Sequence, residues 1–360
     1  MSTLAKSDSA YSSPATQAHP QALGGLVFDW VMVALSFIYT GGLYLDGWAH
    51  NHGKVDQSFF TIWHAFFYSG FALVALWLTG ALLLNRLRGC PWAEALPAGY
   101  QLSLLGVLIF AAGGVGDLIW HEIFGIEQSF DALVSPTHLL LGLGLALVVS
   151  GPLRAAWHRT TAKPGWRALA PALLSATWLI SALTFFMMFS HPLMSIIGGQ
   201  HHYHFNNEIG QIAGVVSILL MTGLILGPTF LLMRRWTLPI GSLTLVWGVN
   251  TAAMAIINWK LSYAAILTAA MLVGVVAADF LYFRLKPTAD KPHTWRLFAF
   301  CAPVLLFGAY FLALLWTEGS VWTVHLLSGT VVLSGVAGWL LSYLVVPPGV
   351  PVQRNENKTL

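Results

Sequence analysis

The chain has 360 residues, 57% of them hydrophobic and 9% charged, with a mean hydropathy of +0.70. Soluble domains carry about 25% charged residues, so this composition excludes a water-soluble fold and predicts an all-α, polytopic membrane helix bundle in a lipid bilayer. The formal net charge of +3 rests on basic residues spread through short loops, which excludes a nucleic-acid partner.

Residues 1–20, rich in Ser, Ala and Gln, read as a disordered cytoplasmic tail. No cleavable signal is expected there, because Lys6 is not followed by an apolar stretch and the first apolar run leads into a full span. A transmembrane domain follows over 21–347, and 348–360 form a second cytoplasmic tail. Within the domain, ten apolar stretches are long enough to cross a bilayer. They lie near 23–47, 58–85, 97–120, 136–156, 166–189, 208–233, 239–258, 262–284, 295–316 and 323–346. Fifteen of the 17 Lys and Arg residues fall in the tails and in the loops after even-numbered spans; only Lys54 and Lys260 fall on the other side. That asymmetry predicts cytoplasmic termini and a multi-pass protein of a bacterial inner membrane.

Span one ends in Asp46-Gly-Trp-Ala-His50, and His64 opens span two. Span three ends in Asp117-Leu-Ile-Trp-His121, and His138 opens span four. A carboxylate and an imidazole four residues apart share one helix face. Ser135-Pro136 makes a good N-cap and first helical position, which puts His138 in the first turn, where the helix dipole favours neutral imidazole. Ionisable groups at membrane depth are costly unless paired or metal-bound. Asp46, His50 and His64, and Asp117, His121 and His138, are therefore two candidate metal sets. Two His and one carboxylate suit copper, zinc or iron and leave coordination positions open. The plainer alternative is that each Asp staples two helices.

Asp117-x-x-Trp120-His121 followed by Ser135-Pro136-Thr137-His138 resembles the membrane copper motif of the copper membrane monooxygenases, the particulate methane and ammonia enzymes, where it lies in one of the membrane subunits. That resemblance implies copper ligation by Asp117, His121 and His138, and a copper-dependent oxidoreductase with partner subunits or a homo-oligomer. The same family carries a neighbouring Asn-x3-His-x13-His set, which Asp46, His50 and His64 resemble with Asp for Asn. The likeness covers roughly residues 46–140, and the order of the two sets is reversed here.

Further along, His191 and the run His201-His202-Tyr203-His204 fall between spans five and six on the same side. They form a candidate accessory metal loop, either a delivery loop or a lid. Ten of the 13 His map to that side, including His52 and His325, the latter read as snorkelling at the mouth of span ten. Asp29 and Asp279 lie near the cytoplasmic ends of spans one and eight, where they are expected to pair with Arg284 or face a polar cavity. Asn250 and Asn258 are expected to join helices. Cys90 and Cys301 suggest neither a disulfide nor a zinc knuckle. The functional expectation is a membrane-embedded metal site, copper first, open to the outer face and oxidising a small apolar substrate or handling copper for such an enzyme. The alternatives are an intramembrane zinc hydrolase with Glu122 or Asp131 as base, and a non-enzymatic copper carrier, haem protein or transporter.

Overall fold

The computed structural model describes residues 23–54, 59–125, 127, 130–159, 165–258 and 263–348. The tails expected at 1–20 and beyond 348 lie outside them. The described residues form ten principal helices: α1 Gly25–Asn51, α2 Ile62–Leu87, α3 Gln101–Phe124, α4 Pro136–His158, α5 Trp166–Phe186, α6 Glu208–Arg235, α7 Ser242–Ile257, α8 Ala264–Leu285, α9 Pro292–Thr317 and α10 Val324–Val345. All but α7 are long and apolar enough to cross a membrane. The protein is an all-α, multi-pass membrane bundle.

The first four helices form two antiparallel hairpins, α1–α2 and α3–α4, held by close backbone approach at glycines. A Cβ on Gly42 would stand 2.7 Å from Phe67 Cα, and one on Gly113 would stand 3.2 Å from Leu141 N. A Cβ on Gly70 would stand 2.6 Å from Tyr39 Cα, and one on Gly144 would stand 2.8 Å from Phe110 N. The register is the same in both hairpins. Gly42 and Gly113 each precede the Asp by one turn, and Phe67 and Leu141 each follow the second His by three residues. Tyr39 and Phe110 each lie two turns before the Asp, and their rings meet edge-on at 5.2 Å. Small residues at crossings let membrane helices gain van der Waals contact where the hydrophobic effect contributes little. The two hairpins are thus two copies of one crossing.

A second core unites α5 to α10 through buried Leu173, Met221, Trp247, Met271, Phe307 and Leu327. Helix α5, the most buried span, contributes to both cores. The hairpins dock on it by the Tyr44 hydroxyl, which donates to Ser181 O at 2.9 Å, and by Gly47, which lies against the Phe185 ring. At the far end of α1, Asn51 donates to Ile257 O at 2.8 Å.

The intramembrane acids have partners other than Arg284. Asp29 pairs with Arg159 and accepts from the Tyr100 hydroxyl at 2.7 Å. Asp279 caps α7: it accepts from Gly241 N at 2.7 Å, Leu243 N at 3.3 Å and the Thr244 hydroxyl at 2.9 Å. A carboxylate at a helix N-terminus satisfies the orphan N–H groups and the dipole together, so an arginine is not needed. Arg284 lies instead over the Phe280 ring. Asn258 donates to Leu193 O and Met194 O, tying the end of α7 to a one-turn helix at Pro192–Ser195. Asn250 is buried, and its amide nitrogen has no acceptor among the described residues. Neither cysteine forms a disulfide among the described residues.

Candidate metal centre

Each antiparallel hairpin brings its own three residues together at the end away from the basic loops. In each set, ligand atoms from all three side chains lie within 4.8 Å of one another. In the first, Asp46 Oδ2 is 3.7 Å from His50 Nε2 and Asp46 Oδ1 is 3.6 Å from His64 Nε2. In the second, Asp117 Oδ2 is 3.5 Å from His121 Nε2 and Asp117 Oδ1 is 3.3 Å from His138 Nε2. These separations are long for hydrogen bonds. They match two donors bound to one ion: at about 2.1 Å from a tetrahedral metal, neighbouring donors stand about 3.4 Å apart.

All four imidazoles turn Nε2 toward the carboxylate. Three of them have Nδ1 anchored from behind. His64 Nδ1 is 2.6 Å from Phe59 O, His121 Nδ1 is 3.1 Å from Glu127 Oε2 and 3.2 Å from Gly125 O, and His138 Nδ1 is 2.9 Å from Ser135 Oγ. Such outer partners fix the ring orientation and leave the other nitrogen for the metal. Ser135 stands at the N-cap of α4, as the sequence suggests, but its hydroxyl serves the His138 ring instead of a backbone N–H. Thr61, at the equivalent place before α2, keeps the ordinary capping role and accepts from His64 N at 3.1 Å. Thr137 donates to Asp117 Oδ1 at 2.8 Å, a bond with no counterpart at Asp46 among the described residues. The second set is also the more enclosed: the Asp117 side chain is 3% exposed and that of Asp46 13%.

The sets are neighbours. Asp46 lies within electrostatic reach of Asp117 and His138, and His50 of His121 and His138. The Phe59 ring bridges them, with its centroid 5.2 Å from that of His64 and 6.0 Å from that of His121. Two carboxylates and four imidazoles thus gather at one mouth of the bundle.

The loop between α5 and α6 is not one cluster. His191 is buried and its Nδ1 accepts from Leu193 N at 3.2 Å, capping the Pro192–Ser195 turn. Burial pulls its pKa down to about 3, so it is neutral. His201 and His202 instead meet Glu318, which follows α9. The Glu318 side chain is 1% exposed; its Oε1 accepts from His201 N at 2.7 Å and lies 3.3 Å from His201 Nδ1 and 3.7 Å from His202 Nε2. His202 Nε2 is also 3.0 Å from the Tyr263 hydroxyl, and burial lowers the His202 pKa. His204 and His325 are exposed, and His52 stacks on Trp48. Glu122 and Asp131 are exposed as well.

Four residues at these sites carry no motif that marks them in the sequence: Glu127, Phe59, Tyr68 and Glu318. Tyr68 had a local signal, since it lies one turn beyond His64 on the same face. Glu127 and Phe59 act from loops, where spacing carries no facing rule. Glu318 is distant in sequence from the histidines it holds. In comparisons with family models, curated proteins and solved structures, nothing matches this chain.

Proposed function

We propose that the chain is a membrane metalloprotein whose two Asp/His/His sets hold a pair of copper ions, and that it oxidises a small apolar substrate with dioxygen at the outer face. The observation that supports this reading is the shared design of the sets: three donors at metal-ligand separations, with Nδ1 of three of the four imidazoles held by a separate partner. A helix staple needs neither feature. Copper bound by two imidazoles and a carboxylate keeps open positions and a usable redox couple. The protein's own part is to orient the rings through Ser135 and the carbonyls of Gly125 and Phe59, and to neutralise charge with Asp46 and Asp117. Phe59, Phe67, Tyr68 and Phe110 make an aromatic wall beneath the site, and Phe60, Ile62 and Phe66 are exposed on the adjoining surface. An apolar substrate dissolved in the bilayer has a short path to such a wall.

A haem fits less well, because the imidazoles of each hairpin converge on a carboxylate and not across a planar slot. A zinc hydrolase lacks its expected base: Glu122 and Asp131 are exposed, and Glu127 is engaged by His121.

The test is metal analysis with absorption spectra on detergent-purified protein. The wild type should carry about two coppers per chain, and Asp46→Ala and Asp117→Ala about one each, because each removes one three-donor set. Zinc in place of copper would turn the reading to hydrolysis, and a Soret band to a cytochrome. No bound metal after reconstitution would overturn it.

A further inference from the structure

We infer that Tyr68 directs its hydroxyl into the seam between the two sets, where it donates a hydrogen bond to a small anionic or oxygen-donor ligand held there. This rests on the metal reading above and adds the group that handles what the metals bind.

Three observations converge on this residue. First, the Tyr68 hydroxyl oxygen is buried and has no hydrogen-bond partner among the described residues. A buried hydroxyl left unsatisfied is destabilising, so its retention calls for a use. Second, the hydroxyl lies within electrostatic reach of both Asp117 and Asp46, one carboxylate from each set. Its ring is fixed there by Phe59, Phe67 and Phe110, with centroids 5.8–6.0 Å away, and by His64 at 6.3 Å. It reaches from α2 to α3 over Gly114, where a Cβ would stand 3.0 Å from Tyr68 Cε1 and 3.2 Å from its hydroxyl oxygen. Gly114 lies one turn before Asp117, so the phenol lies alongside both sets.

Third, the phenol has no counterpart in the repeat. The position equivalent to Tyr68, four residues after the second His of the other hairpin, is Gly142. A Cβ there would stand 2.7 Å from the Phe186 ring. The two hairpins share their acids, their histidines and the crossing glycines Gly42/Gly113 and Gly70/Gly144, but not this phenol. One hydroxyl serves a seam that two symmetric halves create. A donor aimed at such a seam strengthens binding of an oxygen-type ligand, as charge-assisted hydrogen bonds do.

The probe is azide, an anion that binds copper and is followed by its charge-transfer absorption, measured on copper-replete protein. Tyr68→Phe should keep the wild-type copper content and bind azide about tenfold more weakly, the loss expected of one hydrogen bond to a charged acceptor. Gly114→Ala keeps the phenol but displaces its hydroxyl, and should weaken azide in the same direction. This second variant keeps the test alive if the first folds poorly. Unchanged azide affinity in a copper-replete Tyr68→Phe protein overturns the role of Tyr68 and leaves the metal centre standing. Loss of copper from Tyr68→Phe overturns it too, by making the residue a ligand or a structural support. A wild type without copper overturns the metal reading itself, and this one with it.

Discussion

His138 and His191 each have an Nδ1 atom held by a neighbour in the same turn, yet the two rings do opposite jobs. The Ser135 hydroxyl holds His138 Nδ1 and leaves Nε2 facing Asp117. His191 Nδ1 accepts a backbone N–H, so its proton sits on Nε2, inside a fully buried pocket. Its pKa of about 3 lies below the unfolded value of about 6.5. Between those values the unfolded chain binds a proton that the folded chain refuses. The stability contributed by neutral His191 is complete above about pH 6.5 and declines as pH falls toward the folded value, by about 2 kcal/mol at pH 5. His191→Asn keeps a capping acceptor and removes the titration. Thermal denaturation in detergent at pH 7.5 and pH 5 should show a larger acid-induced drop in midpoint for the wild type than for His191→Asn. Equal drops would mean that His191 is protonated without cost and that its burial is not what the geometry indicates.

At the scale of helices, the hairpin crossing is what makes each set. Gly144 carries this most directly, because a Cβ there would meet Phe110 Cβ at 2.7 Å and Gly106 O at 2.9 Å. Gly144→Ala should overpack the α3–α4 crossing at about 1–3 kcal/mol and draw His138 away from Asp117. On the proposed two-copper reading, copper content should then fall toward one per chain, with the set at Asp46 retained. Gly223→Ala, with no atom within 4 Å of the added Cβ, is the control and should leave both metals. Retention of both coppers in Gly144→Ala would mean that the crossing does not position the ligands. Much of this was legible in the sequence. The four-residue steps from Asp46 to His50 and from Asp117 to His121 fix two side chains on one face of a regular helix, and an antiparallel return brings the second His alongside. The partners of Nδ1 were not legible, since Phe59 O, Gly125 O and Glu127 come from loops that obey no period. The pairing of Asp29 with Arg159 was hidden for a related reason: hydropathy locates an acid in a span but not which neighbouring helix end faces it.

Over the whole molecule, chemistry and charge separate to opposite ends. Both Asp/His/His sets and the Glu318 cluster lie at one end of the bundle, and Arg86, Arg154, Arg234, Arg235 and Arg284 lie at the other. The alternation of basic loops predicts that every helix crosses, including α7. At 16 residues α7 rises about 24 Å, short of a bilayer core of about 30 Å. The shortfall is met at its start: the chain enters through buried Trp236 and Leu238, and Asp279 supplies the acceptors that bilayer lipid cannot. If α7 crosses, Ile240 shares a side with Arg88, and Lys260, which lies outside the described residues, is expected from the charge pattern on the side of Lys54. Single cysteines at these four positions, in a Cys90→Ser/Cys301→Ser background, test this with a membrane-impermeant maleimide on intact cells. Positions 54 and 260 should label at once, and positions 88 and 240 only after permeabilisation. Labelling of 240 and 260 from the same side would mean that α7 turns back within the membrane. Helices α8 to α10 would then be inverted, and the Glu318 cluster would lie on the opposite face from the two Asp/His/His sets, contrary to the packing of α5 and α9 in one core.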